Sequence, residues 1–253
     1  KELIAPVVFL RPLGLRLSLT LIRFKLSMQK RLNIQPNVLF LFLKYIFMKG
    51  TKGTETKALI RETAFKLFLT KEYNMVPLKD IEQSLNLSRG CMSYHYPTKQ
   101  ELFMDVIDQY ILRKQDVDNK MQNSESLSLH DFINYYIDNV KRTMDYLYQF
   151  ILPNANTNGT RAYMSLILQA EKFYPNFTKE TTIVTQKELL LWERILKHAQ
   201  EKGEIGTQYN CKNIAKQFKY VYFGQSYNDA LVNGLNIPLL KEQFMFIYSL
   251  IKI

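Results

Sequence analysis

The sequence has little of the material from which catalytic and metal-binding sites are built. Among its 253 residues are two cysteines and three histidines, and neither type shows the spacing of a metal site. No glycine-rich phosphate loop and no G-x-S-x-G motif is present. Pairs of carboxylates such as Asp105 with Asp108 are typical of solvated helix faces. We therefore predict that the protein is not an enzyme and has no catalytic residues, no metal and no cofactor.

Long apolar segments and cysteine pairs are also missing. No segment reaches the roughly 18 apolar residues that a membrane-spanning helix requires. Cys91 and Cys211 lie far apart in the sequence, so their positions do not indicate a disulfide framework. These features predict a cytoplasmic protein without a membrane span.

Apolar residues are abundant and follow a helical period. They make up 47% of the chain, which suffices for a large core and excludes global disorder. They recur at three- and four-residue intervals, and no segment shows the alternation of a β-strand. The pattern predicts an all-α fold with about nine helices.

The net charge of +11 is unevenly distributed. Residues 1–47 hold eight basic side chains and one acidic side chain, and residues 48–99 hold nine basic and five acidic. Residues 100–253 hold seventeen of each. A nucleic acid would therefore be attracted to the first hundred residues and not to the rest of the chain.

The first 47 residues differ from the rest, because prolines at positions 6, 12 and 36 interrupt any long helix. One interpretation is that residues 1–47 are a translated upstream region, with Met48 as the natural start. From Met48 the chain would then form a short, basic, flexible arm. The alternative is a basic membrane-surface anchor that inserts Val38 to Phe47. We predict that residues 1–47 are an extension outside the fold.

The segment from residue 56 to residue 107 predicts three short helices and a longer one. Pro77 suits the first turn of the second helix, and Ser88 is a favoured N-cap for the third. Thr98 with Glu101 forms a capping box that begins the fourth helix. Two short helices joined by a tight turn form a helix-turn-helix.

The third helix of this segment carries the candidate DNA-binding residues. Its polar side chains can bond to base edges or phosphates, and a glycine within it would permit close approach of a DNA backbone. A lysine at the start of the next helix suits a phosphate contact. The predicted DNA-binding residues are Arg89, Gly90, Cys91, Ser93, Tyr94, His95 and Lys99.

At these residues the segment resembles the N-terminal DNA-binding domain of the TetR family of transcriptional regulators. About a fifth of the chain keeps the order and spacing of the family's signature, at Ala64, Leu67, Phe68, Tyr73, Asp80, Ile81, Leu87, Ser88, Gly90, Tyr96, Lys99 and Leu102. The sequence departs from it at Glu72, at Val76 with Pro77, at Glu82 and at Ser93, which replaces a usual tyrosine. Tyr94 is a candidate to take over the phosphate contact of that tyrosine.

The resemblance implies how the rest of the chain is used. Residues 48–98 would form the DNA-binding domain, and residues 99–253 a helical regulatory and dimerisation domain. The last two helices, Ile214 to Ile251, would pair with their copies in a homodimer, and Gly224, Ser226 and Ala230 would let a partner helix approach. The same aromatic helices also fit an ordinary core within one protomer.

The resemblance further implies a small-molecule effector. The aromatic residues of the body allow an apolar pocket between helices, and the candidate ligand-binding residues are Tyr136, Tyr163 and Trp192. Core packing explains the same residues without a ligand. The function predicted is a ligand-responsive repressor that binds a palindromic operator as a homodimer. The alternative is a helical protein-interaction or membrane-surface module that uses the basic N-terminal tail.

Overall fold

A computed structural model describes the backbone of residues 36–121, 124–151 and 157–253, and the side chains of these from residue 53 onward except 119 and 120. Of the described residues, 36–56 and 57–253 belong to two separate compact units. In the described ranges the only β-type pairing is a single bridge between Ile205 and Lys252. The predicted all-α class is confirmed.

Nine helices of seven or more residues lie in the described part of the chain, as predicted, together with a shorter helix that we call α5. In chain order the helices are α1 Pro36–Thr70, α2 Leu78–Ser84, α3 Arg89–His95, α4 Lys99–Ile107, α5 Val117–Lys120, α6 Leu129–Tyr148, α7 Gly159–Phe173, α8 Phe177–Glu201, α9 Cys211–Ala230 and α10 Ile237–Ile251.

The helix α4 continues beyond Ile107 through a π-helical segment, Asp108–Leu112, and a last α-helical turn, Arg113–Gln115. We call the whole of Lys99 to Gln115 the extended α4. Short π-helical segments inside α-helices are frequent at functional sites.

The first helix differs from the sequence-based expectation. Residues 48–57 were expected to form a flexible arm, but they are helical within α1. This segment contains no proline, and each of its two glycines lowers helix stability by about 1 kcal/mol without breaking the helix. Residues 1–35 lie outside the described residues, and so do the side chains of Val38 to Phe47 on which the membrane-anchor alternative depends.

Two hydrophobic clusters hold residues 57–253 together. The first joins α1, α2 and α3 to the extended α4 and α7 through buried side chains that include Phe68, Ile81, Met92, Leu102 and Leu166. The second joins α6, α8, α9 and α10 around Phe132, Trp192, Phe218 and Phe244. Because α7 shares the first cluster, the helix-turn-helix packs directly on the body. The predicted domain boundary between residues 98 and 99 stays a prediction.

Hydrogen bonds reinforce the contact between the helix-turn-helix region and α7. The backbone N–H of Tyr73 donates to Gln169 Oε1. Gln100 Nε2 donates to the carbonyl oxygen of Phe173 at 3.1 Å, and the Tyr174 hydroxyl donates to Asp108 Oδ1 at 2.8 Å. These bonds fix the start of the extended α4 and its π-helical segment against the end of α7.

Candidate DNA interface and ligand cavity

The helix α3 is short and is positioned by signals at both of its ends. Asn86 makes the turn before it with a left-handed backbone, φ 51°, which asparagine tolerates better than most residues. The Ser88 hydroxyl accepts the Cys91 N–H at 3.2 Å, so the predicted N-cap is present. Met92 is the one buried residue of the helix, and Tyr96 is buried directly after it.

The rest of α3 faces away from the protein. Arg89, Gly90 and Ser93 are exposed, and Tyr94 keeps 82% of its surface accessible. A Cβ built on Gly90 would meet no atom within 4 Å, so packing within the protein does not require a glycine at this position.

Two of the predicted DNA-binding residues are less accessible than the others. Cys91 and His95 are half-buried on α3, and the His95 ring lies edge-on to Tyr94 with centroids 5.1 Å apart. Their positions still leave part of each side chain at the surface of the helix.

Lys99, the predicted phosphate-binding lysine, and the lysines of α1 occupy different surroundings. Lys99 is half-buried, with its Nζ 4.2 Å from the centre of the Tyr73 ring, and partial burial lowers the pKa of its amine. Lys57 is exposed, with its Nζ 5.2 Å from the Tyr96 ring. The side chains of Lys49 and Lys52 lie outside the described residues. The Lys99 ammonium therefore makes a cation–π contact with Tyr73, which restricts its side chain.

Sequence reasoning missed the polar network that fixes the end of the helix-turn-helix. Asp105 Oδ2 accepts the Tyr96 hydroxyl at 2.6 Å and lies 3.2 Å from Arg61 Nη1. Burial raises the pKa of Tyr96, and its bond to Asp105 adds to the rise, so this phenol stays a donor at neutral pH. The network ties α1 and the extended α4 to the residue that follows α3. Its members are 44 and 9 positions apart, and no local pattern links them.

The body contains a cavity of about 740 Å³ between α6, α7, α8, α9 and the extended α4. This volume lies within the range of small-molecule sites. Tyr136 and Tyr163, two of the three candidate ligand-binding residues, line it, and Tyr222 lies with them. Gln109, Tyr110 and Arg113 of the extended α4 also line it, so the helix that starts beside the DNA-binding residues ends in the cavity wall.

A half-buried carboxylate in the cavity wall is paired with a buried lysine. Glu188 Oε1 accepts the Tyr136 hydroxyl at 2.8 Å, and Glu188 Oε2 lies 3.1 Å from Lys219 Nζ. Lys219 is only 9% exposed. The Tyr163 hydroxyl is hydrogen-bonded to the side-chain amide of Gln115. The carboxylate is thus satisfied within the protein.

The phenols around this pair are held in their neutral form. Burial raises the pKa of Tyr222 to about 12, and the nearby Glu188 carboxylate adds to the rise. Burial also raises the pKa of Tyr136 and Tyr163 well above the ordinary value. Each phenol therefore presents a hydroxyl donor rather than a phenolate.

The third residue predicted for the pocket is not part of its wall. Trp192 is buried in the second cluster, stacked on Phe218 with centroids 4.5 Å apart and edge-on to Phe132 at 4.7 Å. Its indole fills the core of the protomer, so we withdraw it from the candidate ligand-binding residues. The helical period placed Trp192 on an apolar face without showing whether a cavity or a core covers that face.

The last two helices present an apolar face to the surface. On α9 and directly after it, the exposed apolar side chains are Tyr220, Phe223, Tyr227 and Leu231. On α10 they are Leu239, Phe246 and Leu250. We call these seven residues the α9–α10 face. Gly224 is exposed on α9, with no atom within 4 Å of a built Cβ. Ser226 and Ala230, which were expected to face a partner helix, are instead buried in the protomer.

The described residues offer no sign of a metal centre or a membrane span. In this part of the chain, no group of three or more histidine, cysteine, aspartate and glutamate side chains is placed to hold a metal ion. Cys91 and Cys211 are free thiols. Across the described helices, none is long and apolar enough to cross a membrane.

Comparison of the sequence with known proteins gives one short match. No protein-family model matches the chain. YuxN, an uncharacterized HTH-type transcriptional regulator of Bacillus subtilis strain 168, is 34% identical over 56 residues. These residues are 22% of this chain and 19% of YuxN, so the match spans about a fifth of that protein's length.

Comparison of the structure with solved structures gives matches along most of the chain. A TetR-family regulator from Cytophaga hutchinsonii superposes with a TM-score of 0.57 at 14% identity, covering 80% of this chain and 97% of that one. A putative transcriptional regulator from Saccharomonospora viridis, solved in complex with choline, gives 0.56 at 16% identity, covering 79% and 99%. PfmR, a TetR-family regulator from Thermus thermophilus, gives 0.56 at 14% identity, covering 75% and 97%. The resemblance predicted from the helix-turn-helix extends to the fold of the whole body.

Proposed function

We propose that this chain, which has the fold of the TetR-family transcriptional regulators, is a sequence-specific DNA-binding regulator. In this proposal it is a ligand-responsive repressor that binds a palindromic operator as a homodimer. One observation carries the proposal: α3 is locked in place by a buried anchor and a cap, while its remaining polar side chains face away from the protein. A helix held rigidly with its polar face outward is suited to the major groove.

The residues of this region divide into two roles. Arg89 follows the N-cap directly, and its planar guanidinium can donate to the O6 and N7 of guanine together. We assign base reading to Arg89, Tyr94 and His95. Lys99 and the backbone N–H groups at the start of α4 suit phosphates, which position the protein without specifying sequence.

The α9–α10 face supports the homodimer. Large apolar side chains are exposed along both α9 and α10, and two helices of each protomer would form a four-helix bundle with their copies. A two-fold dimer would place two α3 helices on half-sites about one turn of DNA apart, which explains why the operator would be palindromic.

The extended α4 supports a response to a ligand. It begins at Lys99 beside the DNA-binding residues, and its π-helical segment and last turn line the cavity. A small molecule that binds one position of this helix better than another would shift the two DNA-binding regions of a dimer. The choline complex of the Saccharomonospora viridis regulator shows that a protein of this fold can bind a small molecule.

A gel-shift experiment with DNA from upstream of the protein's own gene tests the proposal. We expect retarded DNA at moderate salt, competed by the unlabelled specific fragment and not by an unrelated fragment of the same length. The Arg89→Ala variant should show a weaker preference for the specific fragment while it keeps the wild-type melting temperature, because Arg89 is exposed. Equal competition by both fragments would contradict sequence-specific binding.

A further inference from the structure

The charges that line the cavity are of one sign at its open end. Three exposed cations line it there, Arg113, Lys114 and Arg142. The one carboxylate in the lining is Glu188, which is half-buried and is already neutralised by Lys219. The lining therefore carries a net positive charge, concentrated where a ligand would enter.

The three cations at the open end have no carboxylate partner among the described side chains. Arg113 donates to the neutral amide oxygen of Gln109 at 3.1 Å, and Lys114 lies 5.0 Å from the centre of the Tyr146 ring. Asp138 stands four residues before Arg142, but no ion pair joins them. Arg142 is therefore available to a ligand.

The nearest acid from another helix is also neutralised. Glu62 of α1 is close enough to Tyr110 and Tyr146 to contribute to the raised pKa of both phenols, but its carboxylate is paired with Lys66 at 2.7 Å. Asp138 and Asp145 of α6 flank Arg142 but do not line the cavity, so the described lining offers no free carboxylate to a cationic head group.

Much of the rest of the wall is apolar, although it also includes Asn139, Thr143 and Thr160. Its side chains include Met144, Leu147, Met164, Ile167, Val184 and Leu235. Methionines adapt to the shape of a bound apolar group, and a cavity of about 740 Å³ is too large for a head group alone. The wall therefore suits a long or bulky apolar body.

We propose that the cavity binds an amphiphilic organic acid. Its anionic group would lie between Arg113, Lys114 and Arg142, and its apolar body would extend along the methionine and leucine side chains towards Tyr136. This inference rests on the proposed function in one respect, namely that such a compound would be the effector. Binding of the compound to the cavity does not require DNA. A cationic ligand is disfavoured, because it would meet the three cations Arg113, Lys114 and Arg142 in the lining.

Three compounds with the same ten-carbon chain and different head groups test this proposal: decanoate, decan-1-ol and decyltrimethylammonium. Binding to the full chain is measured by titration calorimetry below the micellar concentration of each compound and without DNA. We expect decanoate to bind about tenfold or more tightly than decan-1-ol, and decyltrimethylammonium to bind most weakly. Equal affinity for decanoate and decan-1-ol, or tighter binding of decyltrimethylammonium, would overturn the proposal.

Two variants locate the head group. The double variant Arg113→Gln with Arg142→Gln should bind decanoate about five- to twentyfold more weakly, since each exposed ion pair contributes up to about a fivefold change in affinity. Its affinity for decan-1-ol should stay the same. The control is Lys141→Gln, which removes an exposed charge next to Arg142 outside the lining and should leave both affinities unchanged. Equal losses in the double variant and the control would assign the effect to general surface charge and contradict the site.

A separate measurement keeps this proposal distinct from the proposed function. Decanoate is added to the operator complex, and release of the DNA is followed by fluorescence anisotropy. If decanoate binds with the expected preference and the DNA stays bound, the ligand class stands and the effector role fails. If no DNA is bound at the outset, the proposed function fails independently of the calorimetry.

Discussion

The helix-turn-helix region and the body of this protein place their polar side chains in opposite ways. In α3, one residue of seven is buried, and the side chains of Arg89, Ser93 and Tyr94 face solvent. In the body, Glu188 and Lys219 are turned inward and paired with each other. The exposed polar side chains of α3 are therefore free to contact an external partner. The polar groups of the body instead line or support a cavity that a small molecule can enter.

The two regions also differ in what holds them. The position of α3 depends on a few contacts at its ends, Ser88, Met92 and Tyr96, and the cavity wall depends on five helices packed over a large core. In the helix-turn-helix region, single substitutions should therefore weaken DNA binding without unfolding the protein. In the body, only substitutions at the cavity opening should weaken ligand binding without unfolding it. The predictions below test this difference.

The largest effect is expected at the α9–α10 face. The double variant Tyr227→Glu with Phe246→Glu places charges on side chains that are 64% and 58% exposed in the protomer, so each protomer should still fold. Burying these charges in a dimer is unfavourable. Operator affinity should fall by about 100-fold or more, because the two DNA-binding regions no longer bind together.

Sedimentation velocity and fluorescence anisotropy check this prediction. Leu168→Glu is the control, since Leu168 is 73% exposed on α7 and lies outside the α9–α10 face; it should remain dimeric and bind the operator normally. Phe218→Glu is unsuitable, because Phe218 is buried in the protomer and its replacement would unfold the chain. A double variant that still sediments as a dimer would place the interface elsewhere.

The next effect concerns the network that fixes the residue after α3. Asp105→Ala leaves the Tyr96 hydroxyl and the Arg61 guanidinium without their acceptor, and this should lower the free energy of unfolding by about 1–3 kcal/mol. Glu62→Ala removes the carboxylate of an exposed pair with Lys66 and should cost about 0.5 kcal/mol or less. Urea unfolding of both variants measures the difference. Equal losses would show that the network adds nothing beyond a surface pair.

A smaller effect is expected at Gly90, where one substitution should stabilise the fold and weaken operator binding. A methyl group there meets nothing in the protein, so Gly90→Ala should raise the free energy of unfolding by about 0.5–1 kcal/mol. The same methyl group would stand between α3 and a DNA backbone and should weaken operator binding by about tenfold, or about 1.4 kcal/mol. Wild-type operator affinity in Gly90→Ala would show that the DNA does not approach this part of α3.

The smallest effect is a change in alkaline stability. The folded protein keeps Tyr222 protonated to about pH 12, whereas the unfolded chain ionises it near pH 10. Its stabilising contribution is therefore complete below about pH 10 and is lost as the pH rises towards 12. Tyr222→Phe should make the fall in melting temperature over this range shallower, and Tyr220→Phe, an exposed control, should not. An unchanged slope in Tyr222→Phe would contradict the burial of this phenol.

Sequence reasoning succeeded where the physical signal is local. The cap at Ser88 and the cap at Thr98 each depend on residues within about four positions, so local spacing located the helices that begin there. The capping box was found only in part: Thr98 accepts the Glu101 N–H at 3.1 Å. Pro77 occupies the N-cap rather than the first turn of α2.

Sequence reasoning was weaker where residues far apart in the chain meet. Lys219 and Glu188 are 31 positions apart, and nothing in their neighbourhoods distinguishes them from solvated charges. Aromatic periodicity placed Tyr136, Tyr163 and Trp192 on apolar faces without separating cavity from core. The same limit put Ser226 and Ala230 on the dimer face, because the helical period does not say which apolar side a neighbouring helix covers.

Binding of an operator library by the Arg89→Ala and Lys99→Ala variants at two salt concentrations tests the central claim most directly. Arg89→Ala should cost about 1–3 kcal/mol and relax the preference at one base pair in each half-site. Lys99→Ala should weaken all sequences alike and reduce the salt slope by about one for each phosphate that the protein no longer binds. An unchanged base preference in Arg89→Ala would contradict the assignment of base reading to Arg89, and no operator preference in the wild-type protein would contradict the account as a whole.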